Sequence, residues 1–296
     1  MRCKKCNGVV ARLVLAVSFI SLSGVATTQE TDKPGWLSRT TGELQVNDDS
    51  DPRFSIETVQ PIFQSPDKAY TVFWQGRAAY RDSEWTTNIG GGFRYLEPGQ
   101  MWMLGVNSWY DRSYEEDHDR WGFGAELFGP LLTGRFNYYD ALSGTKTIST
   151  TATTRVEERA VDGFDFELEA PLPYLPWARL GTTFYKWDTE FTDDIDGFAL
   201  NLKMDVNDWA RFEVGYQDDD ADEIFSASLR IRFGVSNSVE YTAADNFISD
   251  TAFAPRSVAE RTLDRVERHH GIVTERRTVS TATGGTIGGV TIGRGT

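Results

Sequence analysis

The stretch MWMLGVNSWYD, residues 101–111, sets Trp102, Leu104, Val106, Ser108 and Tyr110 on one side of a period-two ladder. Met103, Gly105, Asn107, Trp109 and Asp111 fall on the other. A water-soluble sheet would turn the apolar set toward a core. The chain repeats this alternation many times and offers hardly any amphipathic helix to cover it, so lipid is the phase that can cover the apolar face. On that reading Trp102, Leu104, Val106 and Tyr110 face the bilayer, and Gly105, Asn107 and Asp111 face a lumen. Met103 and Trp109, large and apolar on the inner side, mark where something packs inside.

Other stretches keep the same phase. EWTTNIGGGFRY (84–95) puts Trp85, Ile89, Phe93 and Tyr95 outward and Thr86, Asn88 and Arg94 inward. AYTVFWQGRAAYR (69–81) puts Val72, Trp74 and Tyr80 outward and Gln75, Arg77 and Arg81 inward. FSASLRIRF (225–233) sets Phe225, Leu229, Ile231 and Phe233 against Arg230 and Arg232. Strand character recurs at 41–47, 53–63, 69–80, 84–95, 101–111, 119–128, 131–140, 158–169, 177–187, 195–204, 209–217 and 224–233, twelve segments in all.

A soluble sandwich would also alternate, but the loops separate the two folds. Every second connection is short: SPDK (65–68), EPGQ (97–100), GP (129–130), PLPYLP (171–176) and DVND (205–208), together holding four acids. The other six include DRSYEEDHD (111–119), a Ser/Thr tract (143–159) and DTEFTDDID (188–196), and these six hold 22 of the 44 acidic residues. Sorting of length and charge by parity belongs to a membrane barrel with two unlike ends. With no apolar run after residue 26 long enough for a membrane helix, the expected fold is an all-β, twelve-stranded antiparallel transmembrane barrel over 40–234.

Residues 1–26 read as a signal peptide: Arg2, Lys4, Lys5 and Arg12 precede the apolar run Leu13–Leu22, with small Gly24 and Ala26 after it. Both cysteines, Cys3 and Cys6, lie in this leader, so no disulfide or cysteine nucleophile is expected beyond it. Without the leader, 26 Lys plus Arg stand against 44 Asp plus Glu, a net charge of −18 that argues against a nucleic-acid partner. Residues 27–39 read as a polar periplasmic linker.

The ordered blocks GELQVN (42–47), VQPIFQSPDKAYTVFWQGRAAYRD (59–82), TTNIGGGFRY (86–95), MLGVNSWYD (103–111), RWGFGAELF (120–128), RVEERAVDGFDFELEAPLPYLP (155–176), ARFEVGYQ (210–217) and RTLDRVERHHGIVTER (261–276) resemble the barrel domain of inverse autotransporters, the intimin and invasin family of outer-membrane adhesins. The resemblance implies a barrel whose amino end is periplasmic and whose chain turns back into the pore after the last strand. Within 235–277 a linker helix would fill the pore, with Leu263, Arg265, Val266 and Arg268 against the lumen wall and Gly271 as its C′ residue. Leu229, Ile231 and Phe233 match a barrel-assembly signal. Expected partners are the secretion channel, periplasmic chaperones, the barrel-assembly machinery and lipopolysaccharide. The 19-residue Gly/Thr-rich tail, 278–296, is too short for an immunoglobulin-like passenger.

Other functions weigh less. Hydrolysis needs a nucleophile and a His base, and of three histidines His118 sits in an acidic loop between Asp117 and Asp119, neighbours that point apart on extended chain. Asp218, Asp220 and Asp222 alternate as cation ligands do, but without the glycine and closing Glu of a calcium loop. An open diffusion pore is the stronger alternative. Arg77, Arg94, Asn107, Arg135, Arg211, Arg230 and Arg232 would line the lumen beside Asp165 and Glu167, and such mixed charges can line a channel or pair across a filled one. No catalytic residue, cofactor or metal is expected.

Overall fold

The computed structural model describes residues 34–115, 117–220, 222–234, 239–283, 285–287 and 290–293. The expected leader (1–26) and residues 27–33 lie outside the described residues. In chain order the strands are β1 (Thr40–Asn47), β2 (Arg53–Gln64), β3 (Tyr70–Arg81), β4 (Glu84–Leu96), β5 (Met103–Ser113), β6 (Asp119–Phe128), β7 (Thr133–Ala141), β8 (Lys146–Thr150), β9 (Thr154–Ala160), β10 (Asp162–Leu172), β11 (Leu175–Asp188), β12 (Ile195–Asn207), β13 (Ala210–Asp219), β14 (Glu223–Arg232), β15 (Thr274–Ser280) and β16 (Thr291–Gly293).

Twelve of these close an antiparallel barrel: β1 to β7, then β10 to β14, with β14 pairing back onto β1 from Thr41↔Arg232 to Asn47↔Ser226. Closure removes every sheet edge, as hydrocarbon requires. The barrel strands are the twelve expected from the sequence, with ends displaced by at most four residues.

The period-two pattern sorts as expected along β5: Leu104 and Val106 are exposed on the outside, whereas Met103, Asn107, Trp109 and Asp111 are buried inside. Aromatic pairs such as Tyr80–Trp85 and Tyr95–Trp102 decorate the outer surface. Turn length does not alternate strictly: the β4–β5 connection (97–102) at one end is longer than the β3–β4 connection (82–83) at the other, and the asymmetry of the two ends rests mainly on the long β7–β10 connection. Between β3 and β4 the two-residue turn Asp82–Ser83 has positive φ at both positions, 52° and 71°, the backbone a tight hairpin of this hand requires.

The Ser/Thr tract is not a plain loop. It forms the hairpin β8–β9 beyond the long-loop end of the barrel and pairs with the tail in a second sheet of order β16–β15–β9–β8.

Among the described residues of 235–277 the expected linker helix does not form. Helical structure there is one 3-10 turn, Ala259–Arg261, followed by Asp264 N on Arg261 O at 3.0 Å, and residues 265–270 carry no helical structure. The reason lies in the partners on offer. A helix satisfies its own backbone; here inward side chains of the barrel bond that backbone directly, and an extended chain presents more of it to them.

Candidate functional site: a lumen threaded by the chain's own linker

After β14 the chain lies across the short-turn end. Tyr174 N bonds Ala252 O at 2.7 Å, Ser249 N bonds Tyr174 O at 2.9 Å, and Arg256 N bonds Pro130 O at 2.8 Å. It then enters the lumen at Val258 and leaves at the long-loop end, where β15 joins β9.

Three apolar stations hold it on the way. Val258 and Ala259 pack with Leu96, Met103 and Phe128. Val266, with Leu263 beside it, packs with Val59, Phe73 and Trp109. Val273 packs with Tyr139, Val161, Tyr185, Trp187 and Ile195. Burying a valine side chain fully contributes about 1.5–3 kcal/mol. Met103 and Trp109, the apolar residues on the inner face, are thus the floor of the first two stations.

Small inner positions make room. A Cβ on Gly90 would stand 2.5 Å from the Trp109 ring, and one on Gly122 would stand 2.6 Å from Arg268 Nη2.

Between the stations, barrel side chains grip the linker's main chain. Arg94 Nη1 donates to the carbonyls of Thr262 (3.0 Å) and Asp264 (2.6 Å). Val266 N donates to Gln75 Oε1 at 2.9 Å, and His269 N to the Tyr139 hydroxyl at 2.7 Å. Asn137 Nδ2 donates to Glu267 O at 3.2 Å, Asn88 Nδ2 to His270 O at 2.9 Å, and Arg120 Nη2 to His269 O at 2.8 Å. Arg94 is itself fixed by Glu126 at 2.9 Å and by the faces of Phe73 and Phe128.

Linker arginines make side-chain contacts as well, Arg261 donating to Thr133 Oγ1 at 2.9 Å over the Phe128 ring. Arg268 forms a two-pronged pair with Asp111, 2.7 Å on each prong, over the rings of Trp109 and Tyr139. Asp111 also accepts from Arg120 at 2.9 Å and Asn88 at 2.8 Å, so its buried charge is fully matched. Arg265 bonds Glu57 at 2.9 Å and Glu267 at 2.6 Å.

The structure places the remaining lumen candidates as follows. Arg77, Arg94, Asn107, Arg135, Asp165, Glu167 and Arg230 are buried inside the barrel. Arg135 pairs with Glu167 at 2.8 Å, and Arg230 with Glu43 at 2.5 Å across the β1–β14 seam. Arg211 and Arg232 are half-buried, both on Asp205 at 2.9 and 2.7 Å. Leu229 and Ile231 lie opposite Leu44 and Gly42 on β1, and Phe233 N bonds Thr40 O at 3.1 Å just past β14. Gln75, Asn88, Arg120, Asn137 and Tyr139 were not singled out as linker-binding residues. Their signal was in the sequence all the same, since each is a polar or amphipathic group at an inward position.

His118 is buried at the long-loop rim, Nδ1 2.7 Å from Ser143 Oγ and Nε2 3.1 Å from Glu158. Glu158 also meets Arg276 of β15, so this chain of contacts fastens the tail to the rim.

A family model described as inverse autotransporter, beta-domain, matches residues 19–270. An attaching and effacing protein homolog of Escherichia coli K12 is 30% identical over 188 residues, covering 62% of this chain and 61% of that protein. Intimin of Escherichia coli O157:H7 is 30% identical over 157 residues, 52% of this chain and 16% of intimin. The chain therefore matches under two thirds of either relative's length. A membrane protein solved in work on in-meso crystallization superposes with a TM-score of 0.65 at 20% identity, over 80% of this chain and 99% of its own.

Proposed function

The chain belongs to the inverse autotransporter β-domain family and is an outer-membrane β-barrel of that family, and from that premise we propose that it anchors and exports its own carboxy-terminal segment. In this reading the short-turn end is periplasmic, the acidic long-loop end is outside, and the segment from Thr274 onward is displayed at the cell surface. Periplasmic chaperones and the barrel-assembly machinery would deliver and insert the barrel, with Leu229, Ile231 and Phe233 as the assembly signal. Lipopolysaccharide would surround the outer rim, and adhesion would belong to whatever is displayed. No catalysis, cofactor or metal is needed.

The observation that carries the reading is the main-chain grip. Gln75, Asn88, Arg94, Arg120, Asn137 and Tyr139 bond backbone atoms of the linker. A wall that bonds backbone accepts any extended segment, which a transport conduit needs, whereas the Arg268–Asp111 and Arg265–Glu57 pairs fix one final register. A tag fused after Thr296 is expected to be cut by protease added to intact cells. Protection of the tag in cells whose barrel is inserted would reject the reading.

A second reading, a diffusion pore, draws on the cavity of about 270 Å³ that remains beside the linker. Conductance distinguishes the two: a seated plug predicts a sharp rise when residues 256–296 are deleted, a pore already open predicts none.

A further inference from the structure

The linker packs chiefly against β2 to β7, and the cavity beside it runs along β1 to β3 and β10 to β14. Toward the long-loop mouth of that cavity its lining carries Arg53 at the start of β2 and Arg77 and Arg81 on β3, with Arg265 of the linker and Arg230 on β14 deeper in. His270 lines the same space.

The acids near this group already have partners. Glu43 is held by Arg230 at 2.5 Å and lies 3.8 Å from Arg265, and Glu57 takes Arg265 at 2.9 Å and Gln75. Glu267 is engaged by Arg265 at 2.6 Å, and Asp165 by Tyr139 at 2.5 Å and Asn137 at 2.8 Å.

The cations are not fully matched. Arg53 spends one Nη on Gln45 and Arg77 one on Asn88, yet Arg53 Nε, Arg77 Nη2 and Arg265 Nε are buried and meet no acceptor. Both ring nitrogens of His270 are likewise buried without a partner, although its ring stands edge-on to Trp109. Arg77 is 5% exposed and His270 8%. Arg53, Arg77, Arg230 and Arg265 face Glu43, Glu57, Glu267 and Glu213, and Arg77 lies within electrostatic range of both Arg53 and Arg265. Buried N–H donors that meet no acceptor are unfavourable until a ligand supplies the acceptors.

We propose that this mouth binds a tetrahedral oxyanion, a phosphate or phosphate monoester, between Arg53, Arg77, Arg265 and His270. The idle N–H groups of Arg53, Arg77 and Arg265 can each donate a charge-assisted bond to an oxygen of such an anion, and the imidazole adds a further donor. The cavity has room for the ion with part of its water. Because Arg265 and His270 belong to the linker while Arg53 and Arg77 belong to the wall, the ion would tie the two together where the linker leaves the barrel. The source is either free phosphate or a phosphate substituent on a lipid headgroup at the rim.

The test uses the full chain refolded in detergent in phosphate-free buffer at constant ionic strength. With inorganic phosphate as probe, the thermal midpoint should rise along a saturating one-site curve, sulfate should follow and chloride should not. Arg53→Gln with Arg77→Gln should weaken phosphate binding at least tenfold. Arg53→Lys keeps the charge and loses the fork, so it remains informative if the double variant does not fold, and should also weaken binding. Arg112→Gln, outside the lumen, should leave binding unchanged. A parallel arm reconstitutes the chain with phosphorylated or dephosphorylated lipopolysaccharide. A response to inorganic phosphate supports a free ion; a response confined to the phosphorylated lipid supports a headgroup. Equal responses to phosphate and chloride, no response in either arm, or binding unaffected by Arg53→Lys overturns the proposal.

Discussion

Replacing Arg268 by alanine should unseat the linker without dismantling the barrel. The guanidinium makes two 2.7 Å bonds to Asp111 and lies 4.8 Å above the Trp109 ring and 5.2 Å above that of Tyr139. Hydrogen bonds to charged groups contribute about 1.5–3 kcal/mol each, and breaking a buried pair costs about 3–5 kcal/mol. Asp111 keeps Arg120 and Asn88 in the variant, which places the loss near the lower limit, about 3 kcal/mol. Such a loss multiplies the undocked population roughly 100-fold. In planar bilayers wild-type barrels should conduct in rare openings, and Arg268→Ala should open about 100 times more often, with Arg268→Lys between them because a point charge replaces a fork. Arg112→Ala removes an exposed pair with Asp119 and should leave the openings unchanged. If Arg268→Ala and wild type, both folded by heat-modifiable gel mobility, gate alike, the Asp111 pair does not hold the linker.

Val106, 57% exposed on the outer face between Phe93 and Ala125, should tolerate arginine badly: Val106→Arg should cost about 2–4 kcal/mol in bilayer refolding, against under about 1 for Gln217→Arg on the lumen side, and equal costs would invert the assigned faces. Gly122→Leu should push Arg268 off its seat and raise conductance while the barrel still refolds; a silent variant would mean the linker does not press on Gly122. The tail should stay docked in mild acid. Burial works to raise the Glu158 carboxyl, but hydrogen bonds from His118 and Arg276 outweigh it, and Arg277 and Arg155 likewise hold Glu157 down, so both sit below the ordinary 4.5. Depressed carboxylates contribute stability above that value and lose it as pH falls below, so protection from hydrogen exchange across 274–280, relative to the intrinsic rate at each pH, should hold from pH 7 to about 5 and fall near 3; loss of protection between 7 and 5 would contradict this.

The barrel could be read from the sequence because a bilayer imposes one rule on every strand, outward apolar and inward polar, and twelve repetitions of it leave little freedom. Trp109 and Met103 broke the rule, and the exception located the linker. The linker's own conformation was hidden. Leu263, Val266 and the charged residues between them suit a helix as a free peptide, and only the inward ring of Arg94, Gln75, Asn137 and Tyr139, drawn from three strands, makes the extended form better satisfied. The hairpin β8–β9 was equally hidden, since it stands clear of lipid and its partner Thr274–Ser280 lies more than 100 residues away.

The position of the linker bears on the order of events in building the barrel. Most of the strands it touches, β2 to β7, are consecutive in sequence, β11 and β12 joining chiefly at Val273 where it leaves, and the seam between β1 and β14 lies on the side facing the open cavity. A curved, unsealed sheet can therefore receive the returning chain laterally, with Trp109 and Arg94 already in place, before the first and last strands zip. Nothing bulky would then have to be dragged lengthwise through a finished ring, and the Glu43–Arg230 clasp would be the last contact made rather than the first.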